Sequence, residues 1–150
     1  MARTRVFRRI VHASDFSPAS RPAFRKAVEL AKGTGAQLLI VHVLPVVPIL
    51  PDAYIAASTY DTLLRGQETA ARRDLNRLVA RAKAAGARAS GVLLDFGVPA
   101  ARIARLARAR RADLIVMGTH GRTGLTRALL GSVAARVLTV ATCPVLTVHA

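Results

Sequence analysis

Apolar and polar positions divide the chain into two kinds of segment. Short, nearly continuous apolar runs are typical of strands buried on both faces of a parallel sheet. Between them, apolar residues recur at helical spacing, as Phe24, Ala27, Val28 and Ala31 do. The predicted strands are 7–13, 37–44, 89–96, 114–118 and 143–149. The predicted helices are 18–33, 60–85, 99–110 and a segment that begins at Ser132.

The predicted helix ends carry start and stop residues. Ser17 and Pro18 predict an N-cap followed by the first helical position of the first helix. Gly33 and Gly35 are expected to end that helix, because glycine adopts the left-handed backbone that follows many helices. Ser132 is the predicted N-cap of the last helix.

Strands that alternate with helices predict an α/β fold with one doubly wound, parallel, five-stranded sheet and helices on both faces. The chain has 150 residues, and no internal repeat or linker divides it. Residues 1–150 are therefore predicted to form a single domain.

The formal net charge is +15, and the sequence pI is about 11.8. Such a charge favours nucleic acid as a partner. The arginines, however, are spread over the N-terminus and two helices, and the chain has only four Phe and two Tyr to stack on bases. A basic nucleic-acid-associated protein stays an alternative, and nonspecific polyanion binding is expected in any case.

Targeting, redox and metal signals are weak. No apolar run approaches the roughly 20 residues that cross a bilayer, and the N-terminal arginines lead into a strand and not into a signal-peptide core. A cytoplasmic protein without membrane contact is predicted. Cys143 is the single cysteine and is expected to be a buried, inert thiol. The four histidines lie on separate segments and indicate no metal site.

A glycine-rich loop follows the strand 114–118. Its spacing is Gly118-x2-Gly121-x9-Gly131-Ser132, which is neither a P-loop nor a dinucleotide-binding fingerprint. Glycines let the backbone approach a ligand closely, while free N–H groups and the positive end of a helix dipole favour phosphate oxygens. The loop is therefore predicted to bind an anion.

This spacing resembles the nucleotide-binding signature of the universal stress protein family, in its ATP-binding branch, and matches all four defining positions. The first strand running into the aspartate turn at 14–18 and the last strand at 143–148 are also similar to that family. The resemblance covers nearly the whole chain. It implies the adenine nucleotide alpha hydrolase-like fold with strand order 3-2-1-4-5.

In such a sheet the strand order reverses between strands one and four, and ligands bind beyond the carboxyl ends of the strands there. The resemblance implies ATP as the cofactor, with or without Mg²⁺. The residues expected around it are Ala13, Ser14, Asp15, Val43, Met117, Gly118, His120, Gly121, Arg122, Gly131, Ser132 and Val133.

Individual roles follow from the resemblance and from side-chain chemistry. The resemblance implies that Val43 and Met117 line the adenine, and that backbone groups near Ala13 recognise the edge of the adenine ring. Asp15 would repel phosphate, so it is expected at the base and ribose end, although an Asx-turn at the first helix is its alternative. Arg122 is the side chain favoured for phosphate charge.

No paired carboxylates and no lysine accompany the loop, and a second acid to hold Mg²⁺ beside Asp15 is not evident. The predicted function is thus a nucleotide-binding regulatory or stress-response module with an unidentified protein partner, and not an efficient enzyme. Slow ATP hydrolysis is left open. The alternatives are an AMP-sensing or nucleotide-free member of the same fold, and the nucleic-acid-associated protein.

The strand 143–149 is predicted to lie at a sheet edge. Its apolar, β-branched sequence would be a template for aggregation if left uncovered. A second copy of the same strand, paired antiparallel about a two-fold axis, is the simplest cover. The chain is therefore predicted to form a homodimer through this strand.

Overall fold

The computed structural model describes residues 6–48, 55–120 and 129–150. Gly121 and Arg122, both predicted site residues, lie outside these ranges. A short 3₁₀ turn, Pro18–Ser20, precedes the first α-helix. The strands are β1 Arg9–Ala13, β2 Gln37–Val43, β3 Arg88–Leu94, β4 Leu114–Gly118 and β5 Val145–Val148. The helices are α1 Arg21–Thr34, α2 Ala57–Ala84, α3 Pro99–Ala109 and α4 Ser132–Val140.

The five strands form one parallel sheet in the order β3-β2-β1-β4-β5, which confirms the predicted fold class and strand order. β1 lies in the centre, and its last residue, Ala13, is opposite Met117 of β4. The two motifs singled out in the sequence therefore meet at the carboxyl end of the sheet, although more than 100 residues separate them along the chain.

The sheet separates two hydrophobic cores, because successive strand residues point to opposite faces. One core joins Ile10, Leu38, Ile40 and Val116 to Phe24 and Val28 of α1 and Leu75 of α2. The other joins Val11, Val41, Ile115 and Met117 to Ile103 of α3 and Val137 of α4. Helices cover both faces, as the continuous apolar strand sequences predict.

The predicted helix starts are partly wrong. The 3₁₀ turn, and not α1, begins at Pro18, and Ser17 makes no side-chain cap. Its hydroxyl donates to Asp15 Oδ1 at 2.6 Å instead. Ser132 is the first residue of α4 rather than its N-cap; that position belongs to Gly131, which has no side chain to cap the helix. Gly35, with φ of 71°, ends α1 as predicted, whereas Gly33, predicted to end it as well, lies inside the helix.

α2 begins earlier than predicted, because the Ala56 carbonyl accepts the N–H groups of Thr59 and Tyr60. Its exposed face carries ion pairs, among them Arg72 with Glu68 at 2.9 Å. Across the three described ranges, no helix combines the length and the apolar character that a membrane crossing needs.

Cys143 lies outside β5, which is shorter than the predicted strand because its pairing with β4 begins at Val145 opposite Ile115. The side chain is half-buried, so the expectation of a buried thiol is wrong. Partial burial nevertheless raises the pKa of the Cys143 thiol, and the negative charge of Asp113 adds to this effect. The thiol is consequently a poor nucleophile at neutral pH.

Candidate functional site

A cavity of about 290 Å³ opens at the carboxyl ends of β1 and β4. Ten of the predicted site residues line it: Ala13, Ser14, Asp15, Val43, Met117, Gly118, His120, Gly131, Ser132 and Val133. The structure thus brings both sequence motifs around one cavity, at the point where the strand order reverses. That these residues bind a nucleotide stays a prediction.

Sequence reasoning missed several lining residues. They are Ser20, Val41, His42, Pro45, Pro99, Ile103, Thr119 and Ala134. Some could have been found, because crossover helices start at the carboxyl end of a parallel sheet, which places the first turns of α3 and α4 there. Ser20 and Thr119 could not have been found from the sequence, because their positions depend on how the loops pack.

One wall of the cavity is apolar. Val41, Val43 and Met117 line it from β2 and β4, and each is at most 8% exposed. Ile103 of α3 completes the wall from the helix layer. Because these four side chains are apolar, the part of the cavity that they line suits an uncharged ring rather than a charged group.

The first turn of α4 also lines the cavity and brings backbone N–H groups to it. Ala135 is the first residue whose N–H bonds inside the helix, to the Gly131 carbonyl at 2.9 Å. The N–H groups of Ser132, Val133 and Ala134 precede it and have no intrahelical partner. Within the described chain no side chain caps them. Together with the positive end of the helix dipole, they favour an anion.

Thr119 joins the glycine loop to its surroundings. Its carbonyl accepts the N–H of Gly131 at 2.6 Å, and its own N–H donates to the Val148 carbonyl at 3.0 Å. Its hydroxyl lies 2.9 Å from Nδ1 of His120 and 3.3 Å from Nδ1 of His149. The Gly131 N–H is therefore engaged and is not among the N–H groups that could bind an anion.

The turn after β1 is held by side-chain hydrogen bonds. Asp15 Oδ1 accepts the backbone N–H of Ser17 at 3.0 Å as well as the Ser17 hydroxyl. This is the Asx-turn foreseen as the alternative role of Asp15. The residue also lines the cavity, so its carboxylate supports the turn and stands at the site.

Phe16 and His42 brace this turn. Phe16 has φ of 64°, a left-handed backbone that is unfavourable for a bulky residue. Its ring stacks on His42 with centroids 4.2 Å apart, and Nδ1–H of His42 donates to the Ser14 carbonyl at 2.8 Å. The strained turn is thereby tied to β2.

Packing within the protein itself explains why residue 118 is a glycine. A Cβ at this position would lie 3.3 Å from the His120 carbonyl oxygen and 3.4 Å from that of Ala19. Glycine therefore allows the 3₁₀ turn to pack against the end of β4. This internal contact was not anticipated from the sequence, which indicated only a close approach to a ligand.

Metal binding has little support in the part of the chain that the structure describes. No group of three His, Cys, Asp or Glu side chains comes together there. Of the described residues that line the cavity, Asp15 is the one that is acidic. Mg²⁺ is commonly held by one or two carboxylates plus substrate phosphates, so Asp15 and a bound polyphosphate could hold it only jointly.

Comparison with known proteins assigns the chain to a family. The sequence model of the family described as "Universal stress protein family" matches residues 7–149 of this chain. Universal stress protein MJ0531 of Methanocaldococcus jannaschii is 36% identical over 143 residues, covering 95% of this chain and 82% of the relative. Universal stress protein A homolog 1 of Coxiella burnetii is 35% identical over 142 residues, covering 95% and 96%.

Solved structures share the fold. A universal stress protein family member from Burkholderia pseudomallei is 32% identical with a TM-score of 0.77, covering 97% of this chain and 98% of that one. A universal stress protein in complex with cAMP is 29% identical with a TM-score of 0.66, covering 95% and 97%. The Archaeoglobus fulgidus protein in complex with dAMP is 26% identical with a TM-score of 0.65, covering 95% and 98%. The chain belongs to the universal stress protein family.

Proposed function

We propose that this protein is a regulatory module that binds an adenine nucleotide, ATP by preference, in the cavity between β1 and β4. The observation that carries the proposal is the pairing of an apolar wall with the first turn of α4, whose N-cap is a glycine, in one cavity. A nucleoside phosphate has the same two parts, a flat ring and an anion. The cAMP and dAMP complexes of related proteins support adenine as the ring.

In the proposed pose the adenine lies against Val43 and Met117. The ribose hydroxyls lie near Asp15, whose carboxylate accepts hydrogen bonds and would repel phosphate. The phosphates lie at the N–H groups of Ser132, Val133 and Ala134. ATP is favoured over AMP, because the spacing from Gly118 to Ser132 resembles that of the ATP-binding branch.

Efficient catalysis is not part of the proposal. Phosphoryl transfer needs a base or a water-positioning group together with charge stabilisation by metal or basic side chains. Among the described residues that line the cavity Asp15 is the single acid, and one of its oxygens already holds the Ser17 turn. Binding without rapid turnover therefore fits this site best, in a cytoplasmic, single-domain protein.

Calorimetric titration with ATP, AMP and adenosine at physiological salt tests the proposal. We expect ATP to bind most tightly, AMP more weakly and adenosine weakest, because each lost phosphate removes contacts at α4. Equal affinities for ATP and AMP would favour the AMP-sensing alternative. If none of the three binds, the nucleotide proposal is wrong.

We also propose that two copies associate through β5, which is an edge of the sheet. All four of its residues are half-buried. Leu138 and Val140 of the neighbouring helix α4 are each 46% exposed, which leaves an apolar surface beside the edge. Covering that surface and the strand edge together would stabilise a two-fold dimer.

A further inference from the structure

A second cavity, of about 370 Å³, lies between α1 and α2, in the helix layer on the other side of the sheet from α3 and α4. We call it the α1/α2 groove. None of the residues that line it belongs to the candidate nucleotide site. Whatever the groove binds is therefore separate from the proposed nucleotide.

The floor of the groove is apolar. It is formed by Phe24 and Val28, which belong to the core and are 6% and 7% exposed, together with Ala85 after α2. Because the floor side chains are held by core packing, the groove keeps its shape without a ligand. Such a surface favours an aromatic or aliphatic group over water.

The rim is cationic. Arg25, Lys32 and Arg81 line it, and none of them forms an ion pair with a described carboxylate. Among the described residues of the rim the acidic one is Glu29, which Lys26 binds at 2.6 Å. Three positive charges that no described carboxylate neutralises thus lie around an apolar floor, and they attract a negative charge into the groove.

The position of Arg81 indicates what kind of ligand would fit the α1/α2 groove. Its guanidinium carbon lies 5.4 Å from the centroid of the Phe24 ring, a cation–π contact. A guanidinium plane also stacks on flat rings and pairs with carboxylates through its N–H groups. Lys32 lies at the end of α1, and its stem approaches Gly86, where a Cβ would be 3.6 Å from its Cε.

We propose that the α1/α2 groove binds a small aromatic carboxylate. The ring lies against Val28 and the guanidinium of Arg81, which itself lies over Phe24, and the carboxylate lies between Arg25, Lys32 and Arg81. The helix dipoles alone do not account for this arrangement. Lys32 and Arg81 are near helix C-termini, where cations are favourable, but Arg25 lies in the first half of α1 and faces the same groove.

Titration of the purified protein with 2-naphthoate, followed by its fluorescence and by calorimetry, tests the proposal. The double variant Lys32→Gln/Arg81→Gln is expected to weaken binding at least about tenfold. The matched control Arg65→Gln/Arg88→Gln removes the same charge from two exposed arginines that do not line the groove, and it is expected to bind as the wild type does. 2-Naphthalenemethanol, which lacks the carboxylate, is expected to bind weakly to all three proteins.

A third variant, Val28→Trp, fills the groove without changing the charge and is also expected to abolish binding. If it fails to fold by circular dichroism, the two charge variants still decide the matter, because their side chains lie on the surface. Absence of naphthoate binding by the wild type would overturn the proposal. So would equal loss in both double variants, since that result means attraction to the net charge alone.

Discussion

The carbonyl oxygen of Thr119 accepts the backbone N–H of Gly131, with the two atoms 2.6 Å apart. Thr119 follows β4, and Gly131 precedes α4, so this bond joins the two ends of the glycine loop. The N–H of Thr119 in turn bonds to Val148 of β5. The ends of the loop are therefore fixed to the sheet before any ligand binds.

Gly131→Pro is expected to break this link without straining the backbone at residue 131. Gly131 has φ of −59°, which proline adopts readily, but proline has no N–H to donate. The Thr119 carbonyl would lose its partner and would meet the proline ring where the amide hydrogen lies, so the free energy of unfolding is expected to fall by at least about 1–2 kcal/mol. Urea denaturation measures it. Gly131→Ala, which keeps the N–H, is the control, and equal stability of the two variants would contradict the account.

His12 is expected to make the protein sensitive to acid. It is fully buried, and its Nδ1–H donates to the Val116 carbonyl at 3.0 Å. Burial lowers the pKa of His12 from 6.5 to about 4. In the unfolded chain it takes up a proton near pH 6.5, while in the folded chain it stays neutral to about pH 4. Stability is therefore lost as the pH falls across this interval, by up to about 3 kcal/mol.

Denaturant titrations between pH 7 and about pH 4 check this prediction. In His12→Leu the contribution of this group is absent, so the free energy of unfolding is expected to fall less steeply with acid than in the wild type. Parallel pH profiles for the two proteins would show that His12 does not control the acid response.

The strand order and the meeting of the two motifs were predictable, because they follow from the alternation of strands and helices and from the family signature. The hydrogen bonds and helix starts in the loops were not predictable. Ser17 and Ser132 both have the chemistry of an N-cap, yet Ser17 bonds to Asp15 and Ser132 lies inside α4. These outcomes depend on packing between segments distant in the sequence, which local residue preferences do not contain.

Two glycines of different surroundings are expected to respond oppositely to alanine. At Gly118 a Cβ would press on two carbonyl oxygens at 3.3 and 3.4 Å, so Gly118→Ala is expected to destabilise the fold by about 1 kcal/mol or more. At Gly33, inside α1, a Cβ would meet nothing within 4 Å. Gly33→Ala is expected to stabilise it by about 0.5–1 kcal/mol. Thermal denaturation measures both variants, and changes in melting temperature of the same sign would be inconsistent with the described packing.

The proposed dimer is best probed from α4. Leu146 and Val148 of β5 pack on the core, so lysine there would also damage the monomer. Leu138 and Val140 are exposed, and Leu138→Glu/Val140→Glu is expected to shift the protein to monomer through unfavourable charge in an apolar contact. Sedimentation velocity at micromolar concentration measures the state. Val46→Glu, at 62% exposure elsewhere on the surface, is the control. A monomeric wild type would refute the dimer.

Ser132 offers the most direct test of nucleotide binding at α4. It is exposed and is the first residue of the helix, where a carboxylate is favourable to the fold by about 0.3–1 kcal/mol. Ser132→Glu should therefore fold at least as well as the wild type while repelling phosphate. Ser132→Gln has nearly the same shape without the charge.

The decisive measurement is calorimetric titration of both Ser132 variants with ATP and with adenosine. We expect ATP to bind Ser132→Glu at least about tenfold more weakly than Ser132→Gln, a difference of about 1.4 kcal/mol, and adenosine to bind both variants equally. Equal ATP affinity in the two folded variants would contradict it, because the phosphates would then lie away from the first turn of α4.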